Sequence, residues 1–167
     1  TLNFIFSSFE EGRKFSEVVK EAKAKGYTEP DPRDDLNGMD VARKILILSR
    51  ETGLSMELSD IKVENLVPES CRGEMSVDEF FKSMEKFDSE FEKLRKAAAD
   101  RNEKLRYMAI LDNGTVTIRL GSVSQSHPFY SLSGSDNIIL LTTARYHDRP
   151  MVIRGPGAGA DVTAAGV

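Results

Sequence analysis

Apolar residues follow two rhythms along this chain. Up to about residue 101 they recur every three or four positions, as on one face of a helix; beyond it they alternate or run together, as in strands. Leu2, Phe4, Ile5, Phe6 and Phe9 predict a first helix from Thr1 to about Glu10-Glu11-Gly12. Ser16 reads as the cap of a second helix through Val18, Val19, Ala22 and Ala24, with Gly26 just past its end. Met39, Val41, Ala42, Ile45, Leu46, Ile47 and Leu48 then wrap most of a third helix. It starts near Asn37 or Gly38, with Asn37 as its cap, and stops at Gly53; a helix this apolar is expected to be buried. Ile61–Val67 alternates in part and predicts a strand closed by Pro68. Ser76-Val77-Asp78-Glu79 is a capping box opening a helix with Phe80, Phe81, Met84 and Phe87 on one side. A charged helix from Asp88 to about Arg101 follows with no glycine between, which predicts a bent pair.

The last third changes character. Leu105–Leu111 and Thr115–Leu120 predict two strands joined at Asp112-Asn113-Gly114, a hairpin signal. Pro128 and the Ser/Gly cluster at 131–135 interrupt the pattern. A long strand at 137–146, a turn at 147–150 and a returning strand at 151–154 complete a meander. Helices first and strands afterwards indicate an α+β domain, its N-terminal helices packed on a mostly antiparallel sheet. No early strand is followed by GxGxxG and an acid about 20 residues on, so a dinucleotide-binding Rossmann domain is absent from this chain.

Composition narrows the function classes. With 167 residues, 40% hydrophobic and 30% charged, the chain is one domain with enough apolar material for a core. The net charge of −4 without a basic block argues against nucleic acid, and no apolar run reaches the ~18 residues of a membrane span. A single cysteine, Cys71, excludes an internal disulfide and fits a reducing, cytoplasmic setting; with no base near it, it reads as incidental. No metal-ligand set and no signal peptide stand out, and the opening inside a helix pattern reads as an excised piece of a longer protein.

The chemistry concentrates in residues 26–44, GYTEPDPRDDLNGMDVARK. Pro30 and Pro32 predict an open, stiff, non-helical stretch from Glu29 to Asp35, crowded with Glu29, Asp31, Asp34, Asp35 and one cation, Arg33. Arg33 is placed to pair with one of these acids, and Asp31 and Asp34 read as turn-stiffening or exposed residues. Asp40 and Lys44 lie four apart on the following helix. They read either as an ordinary helical ion pair worth about 0.2–0.5 kcal/mol or as functional charges in a buried element. The segment Gly155–Gly159, between a strand and a helix start, has the layout in which backbone N–H groups face an anion, and equally that of a flexible turn.

The 26–44 run resembles the signature of homoserine dehydrogenases, nicotinamide-dependent oxidoreductases. The resemblance extends from Thr1-Leu2-Asn3-Phe4-Ile5-Phe6 through Leu132-Ser133-Gly134-Ser135-Asp136-Asn137-Ile138-Ile139 to the closing 154–166 glycine segment. It is most similar to the bifunctional aspartokinase–homoserine dehydrogenase form of the family. It implies interconversion of L-homoserine and L-aspartate 4-semialdehyde with NAD or NADP, in threonine, methionine and isoleucine biosynthesis. It also implies a homo-oligomer, a dimer in the first instance. Residues 1–154 are then the substrate-binding and dimerisation domain, and 155–167 lead back to the missing nucleotide-binding domain. By motif match Glu29 and Asp40 bind substrate and Lys44 is the proton donor, with Asp35 a lesser contact, Thr1 close to the substrate and Gly159 beside the cofactor. Without the nucleotide-binding domain the chain alone is expected to be inactive. The alternative from another class is a non-catalytic dimerisation or amino-acid-binding module on the same scaffold.

Overall fold

The computed structural model describes residues 1–134, 136–157 and 164–166. Six helices, α1 (Leu2–Ser8), α2 (Phe15–Ala24), α3 (Arg33–Leu36), α4 (Met39–Glu51), α5 (Val77–Met84) and α6 (Asp88–Ala99), come first, interrupted by one short strand, β1 (Lys62–Val63). Four strands follow: β2 (Glu103–Asp112), β3 (Thr115–Ser124), β4 (Asp136–Leu141) and β5 (Met151–Pro156). The α+β class and the helices-then-strands order agree with the sequence pattern.

The strands form two sheets rather than one meander: a three-stranded sheet in the order β1-β3-β2 and a separate β4-β5 ribbon. β2 and β3 are antiparallel, with Asp112 opposite Thr115. Asn113 and Gly114 between them both have positive φ, as a tight two-residue turn demands. β1 joins β3 in parallel through two residues, Lys62 and Val63, so most of the expected 61–67 strand is not strand. It leaves the ladder because Leu66 N–H turns to Leu36 O and the Asn65 side chain takes Val67 N–H. β4 ends at Leu141, short of the expected 146, and residues 142–149 are exposed.

Two apolar clusters sit on the sheet. The larger joins α1, α2, α5 and α6 through Phe6, Phe15, Phe80 and Phe91, the Phe15 and Phe91 rings stacked with centroids 3.8 Å apart. The smaller joins α4 to β3 through Ala42, Leu46, Val116 and Ile118. Tyr107 of β2 packs against both. The α5–α6 pair is bent as expected, through a 3-10 turn at Glu85–Phe87, and the Ser76 capping box is formed.

Three further expectations change. The Glu29–Asp35 stretch is not wholly non-helical: Arg33–Leu36 make one helical turn with Pro32 at its cap. Proline bars a helix from continuing through it but is already shaped to begin one. Ser16 does not cap α2, whose cap is Lys14; Ser16 lies in the first turn, and its N–H and hydroxyl donate to the two carboxylate oxygens of Asp88 at 2.8 and 2.7 Å. Finally, α4 is not buried all round. Ala42, Leu46 and Ser49 face the sheet, whereas Ile47 is 60% exposed and Leu48 37%. One sheet layer covers one stripe of a helix, so the opposite apolar stripe stays open.

Arg106 of β2 is 4% exposed and has no acid beside it among the described residues. Its guanidinium donates instead to five backbone carbonyls, those of Phe6, Leu105, Phe129, Tyr130 and Leu132, at 2.9–3.2 Å. Burial lowers its pKa from the ordinary value. This cage, with Ser7 donating to Leu132 O and the Asn3 amide reaching the carbonyls of Ser133, Gly134 and Asp136, fixes α1 against the entry to β4.

Candidate active site

Thr1, at the cap of α1, is held by its hydroxyl donating to Tyr27 O, at the start of the acidic stretch. The Tyr27 ring packs edge-on against Phe4 of α1 with centroids 5.0 Å apart. Past it, Lys23 Nζ donates to Pro30 O at 2.5 Å, and Arg33 locks the remainder. Its Nε lies 2.9 Å from Asp31 Oδ1, and its Nη atoms donate to the carbonyls of Gly73 and Met75. The Asp31 carboxyl is held below the usual range first by the hydrogen bond from Arg33. The expected pairing of Arg33 with one loop acid is therefore present, and its guanidinium is taken up by the frame.

Asp35 points to the opposite purpose. Its Oδ2 accepts from Glu29 N–H at 2.8 Å, which folds the stretch back on itself and sets Glu29 next to α3. α3 and α4 are separated by Asn37 and Gly38 alone. Asn37 does serve α4: its Oδ1 accepts from Met39 N–H at 2.8 Å, although Gly38 holds the cap position with φ +78°. One turn into α4, Lys44 Nζ lies 2.8 Å from Asp40 Oδ2.

These groups share one neighbourhood. The backbone nitrogen of Thr1 lies within electrostatic range of the Asp35, Lys44 and Asp40 side chains. One point at the start of α1 thus feels all three side chains. Of the residues expected from the sequence, Asp35, Asp40 and Lys44 lie within electrostatic range of Thr1, Glu29 is tied to Asp35 by its backbone N–H, and Gly159 lies outside the described residues. The burial expected for α4 does not extend to these two charges: the Lys44 and Asp40 side chains are 60% and 63% exposed. They lie on the outward stripe of α4, which continues into Ile47 and Leu48.

A separate groove of about 590 Å³ runs past α3, lined by Arg33, Asp34, Asn37, Asn65 and Arg72 among others. None of Glu29, Asp35, Asp40 and Lys44 lines it, so its position does not coincide with the gathered charges. Among the described residues no three His, Cys, Asp or Glu side chains are placed to hold a metal ion, and no helix is long and apolar enough to cross a membrane. Sequence reasoning missed Tyr107, read as a strand residue, whose phenol oxygen touches the α3–α4 turn. A polar aromatic on a half-buried strand was the available signal, but its partners are 43 and 69 positions away.

Comparison with known proteins adds the family. The homoserine dehydrogenase family profile matches residues 1–167. The bifunctional aspartokinase/homoserine dehydrogenase 1 of Zea mays, a chloroplastic protein, is 54% identical over 171 residues, covering all of this chain and 18% of that protein. The homoserine dehydrogenase of Schizosaccharomyces pombe is 49% identical over 175 residues, covering all of this chain and 46% of its own length. A Candida auris protein of unknown function, known from a crystal structure, superposes with TM-score 0.92 at 41% identity, over 99% of this chain and 48% of that one. The Staphylococcus aureus homoserine dehydrogenase shares the fold, with TM-score 0.73 at 23% identity over 99% of this chain and 38% of that one. The chain thus spans about a fifth of the plant protein and about half of the fungal ones. End-to-end agreement in sequence, carried by a fold that seats the 26–44 motif at one charged locus, makes this chain a member of the homoserine dehydrogenase family.

Proposed function

We propose that this chain is the substrate-handling and dimerisation part of an NAD- or NADP-dependent homoserine dehydrogenase, interconverting L-homoserine and L-aspartate 4-semialdehyde. The observation that carries the reading is the Lys44–Asp40 pair at 2.8 Å on α4, two residues past the helix that carries Asp35. Homoserine presents an ammonium group and a hydroxyl. Carboxylates beside one amine suit both: Glu29 and Asp40, seconded by Asp35, hold the ammonium, and Lys44 exchanges the proton of the hydroxyl. In the reducing direction Lys44 protonates the carbonyl oxygen as it becomes the alcohol; in the oxidising direction it accepts that proton back. Asp40, 2.8 Å from the amine, orients it. Thr1 closes the substrate end, and Gly159 is assigned to the cofactor side.

The described residues do not fit a dinucleotide by themselves. The one parallel pair, β1 with β3, is two residues long, and β1 is not followed by a glycine-rich turn into a helix. The redox half of the reaction therefore belongs to the remainder of the whole protein, in a cytoplasmic or comparable reducing compartment. Assembly falls to the β4-β5 ribbon, where Val152 and Ile153 are 47% and 51% exposed; packing against a second copy would cover them. Biosynthesis of threonine, methionine and isoleucine is the role this activity would serve.

The test is an assay of nicotinamide reduction with L-homoserine. The chain alone is expected to be inactive, and the full-length protein active. Lys44→Ala in the full-length protein should lower kcat by about 10²-fold or more with little change in Tm. Normal turnover in that variant would remove Lys44 from its role.

A further inference from the structure

Between α3, which carries Asp35, and α4, which carries Asp40 and Lys44, the backbone passes through Gly38 in a left-handed conformation, φ +78°. Gly38 is buried. A methyl group at this position would lie 2.1 Å from the Tyr107 phenol oxygen and 2.8 Å from Val63 Cγ1. The missing Cβ is thus the space that the phenol occupies. Tyr107 is held in turn, its hydroxyl donating to Glu64 O at 2.6 Å. Glu64 is built into the sheet: its N–H donates to Ile118 O at 2.8 Å, and its carboxylate accepts from Leu120 N–H at 3.0 Å. On the α3 side, Leu36 O accepts from Leu66 N–H at 3.0 Å. Both sides of the turn therefore rest on one ledge, residues 63–66 with the Tyr107 phenol.

The geometry points to Tyr107 as a positioning residue for the site proposed above: through its contact with Gly38 it sets the angle between α3 and α4, and so the placement of Asp40 and Lys44 against Asp35. The inference rests on that site assignment. A glycine with positive φ has the freedom to act as a hinge. Lys44 lies six residues beyond it, about 9 Å along the helix at ~1.5 Å per residue. A tilt of about 10° at the hinge displaces the lysine backbone by about 1.5 Å, and misplacement by about 1 Å can cost 10²-fold in rate. Tyr107 touches none of the proposed reacting groups; its effect passes through Gly38.

The experiment is a double-mutant cycle in the full-length enzyme, with kcat and both KM values measured per mole of folded protein. Tyr107→Phe keeps the ring and removes the oxygen that faces Gly38. It should lower kcat about tenfold, a fraction of the loss that ~1 Å of misplacement produces, while the KM for the nicotinamide cofactor stays unchanged. Gly38→Ala should lower kcat further. The pair together should recover part of that loss, because the added methyl enters the space the oxygen has left; the strain of alanine at positive φ and its contact with Val63 are common to both backgrounds and cancel. A residue needed only for folding would lower Tm and leave kcat per folded enzyme intact. That result, or losses that simply add, overturns the proposal. Should Gly38→Ala fail to accumulate, the kcat of Tyr107→Phe decides alone. Lys44→Ala separates the two levels. If it is inactive while Tyr107→Phe is fully active, the ledge is refuted and the site stands; if it is fully active, the site assignment falls and the ledge with it.

Discussion

Two residues near the site give opposite responses to pH. The Asp31 carboxyl is held below its usual range by Arg33, so it favours the folded state through its charged form. Its contribution is complete above the ordinary aspartate pKa and is lost as pH falls through the folded value. Urea midpoints of the parent and Asp31→Asn should differ near neutrality and converge in acid. Tyr107 runs the other way. Burial, then the Glu64 charge, pushes its phenol up to about 12. Its contribution is complete below the ordinary tyrosine pKa and is lost as pH rises through about 12. Tyr107→Phe should remove a late step from the phenolate absorbance titration and flatten the alkaline loss of stability. Local chemistry of this kind was partly legible in the sequence. Arg33 is the one cation among the acids of the 29–35 stretch, and it pairs there as expected. The Tyr107–Gly38 contact was not legible, because it joins positions 69 apart and a glycine states only that something is near, not what.

At the level of elements, the signals confined to a few residues were the readable ones. Ser76 with Glu79, and Asn113 with Gly114, act over three positions or fewer, and both form as expected. Ser16 failed as a cap because its partner, Asp88, comes from a helix 72 residues later. The burial of α4 was misread for a different reason. Apolar residues on two sides of a helix indicate that both sides meet something, without indicating that both partners belong to the same 167 residues. Arg106 in β2 was likewise invisible, since alternation reports the side a residue faces and not the carbonyls it finds there. Arg106→Met should cost about 3 kcal/mol or more in denaturant unfolding, because the carbonyls of the cage lose their donors inside the protein. A loss below about 1 kcal/mol would mean that water or a shifted backbone satisfies them.

For the whole molecule, the class and order of elements followed from the change of period near residue 101, while the splitting of the strands into two sheets did not. The Arg106 cage and the 3-10 turn at Pro128–Ser131 part β3 from β4, and long-range pairings of that sort leave no local trace. The detached β4-β5 ribbon is where assembly can be tested. Val152→Lys should shift the full-length protein toward monomer in analytical ultracentrifugation while leaving its far-UV CD unchanged. A parent already monomeric at micromolar concentration would remove the ribbon from that role.

The outward stripe of α4 has a further consequence. Its first half carries Asp40 and Lys44, its second half Ile47 and Leu48, and both halves look the same way. A cover laid over the greasy half leaves the charged half little room to keep its hydration, since the two are separated by less than one helical turn. Whatever covers Ile47 and Leu48 would therefore also strip water from Asp40 and Lys44 and strengthen the attraction between them.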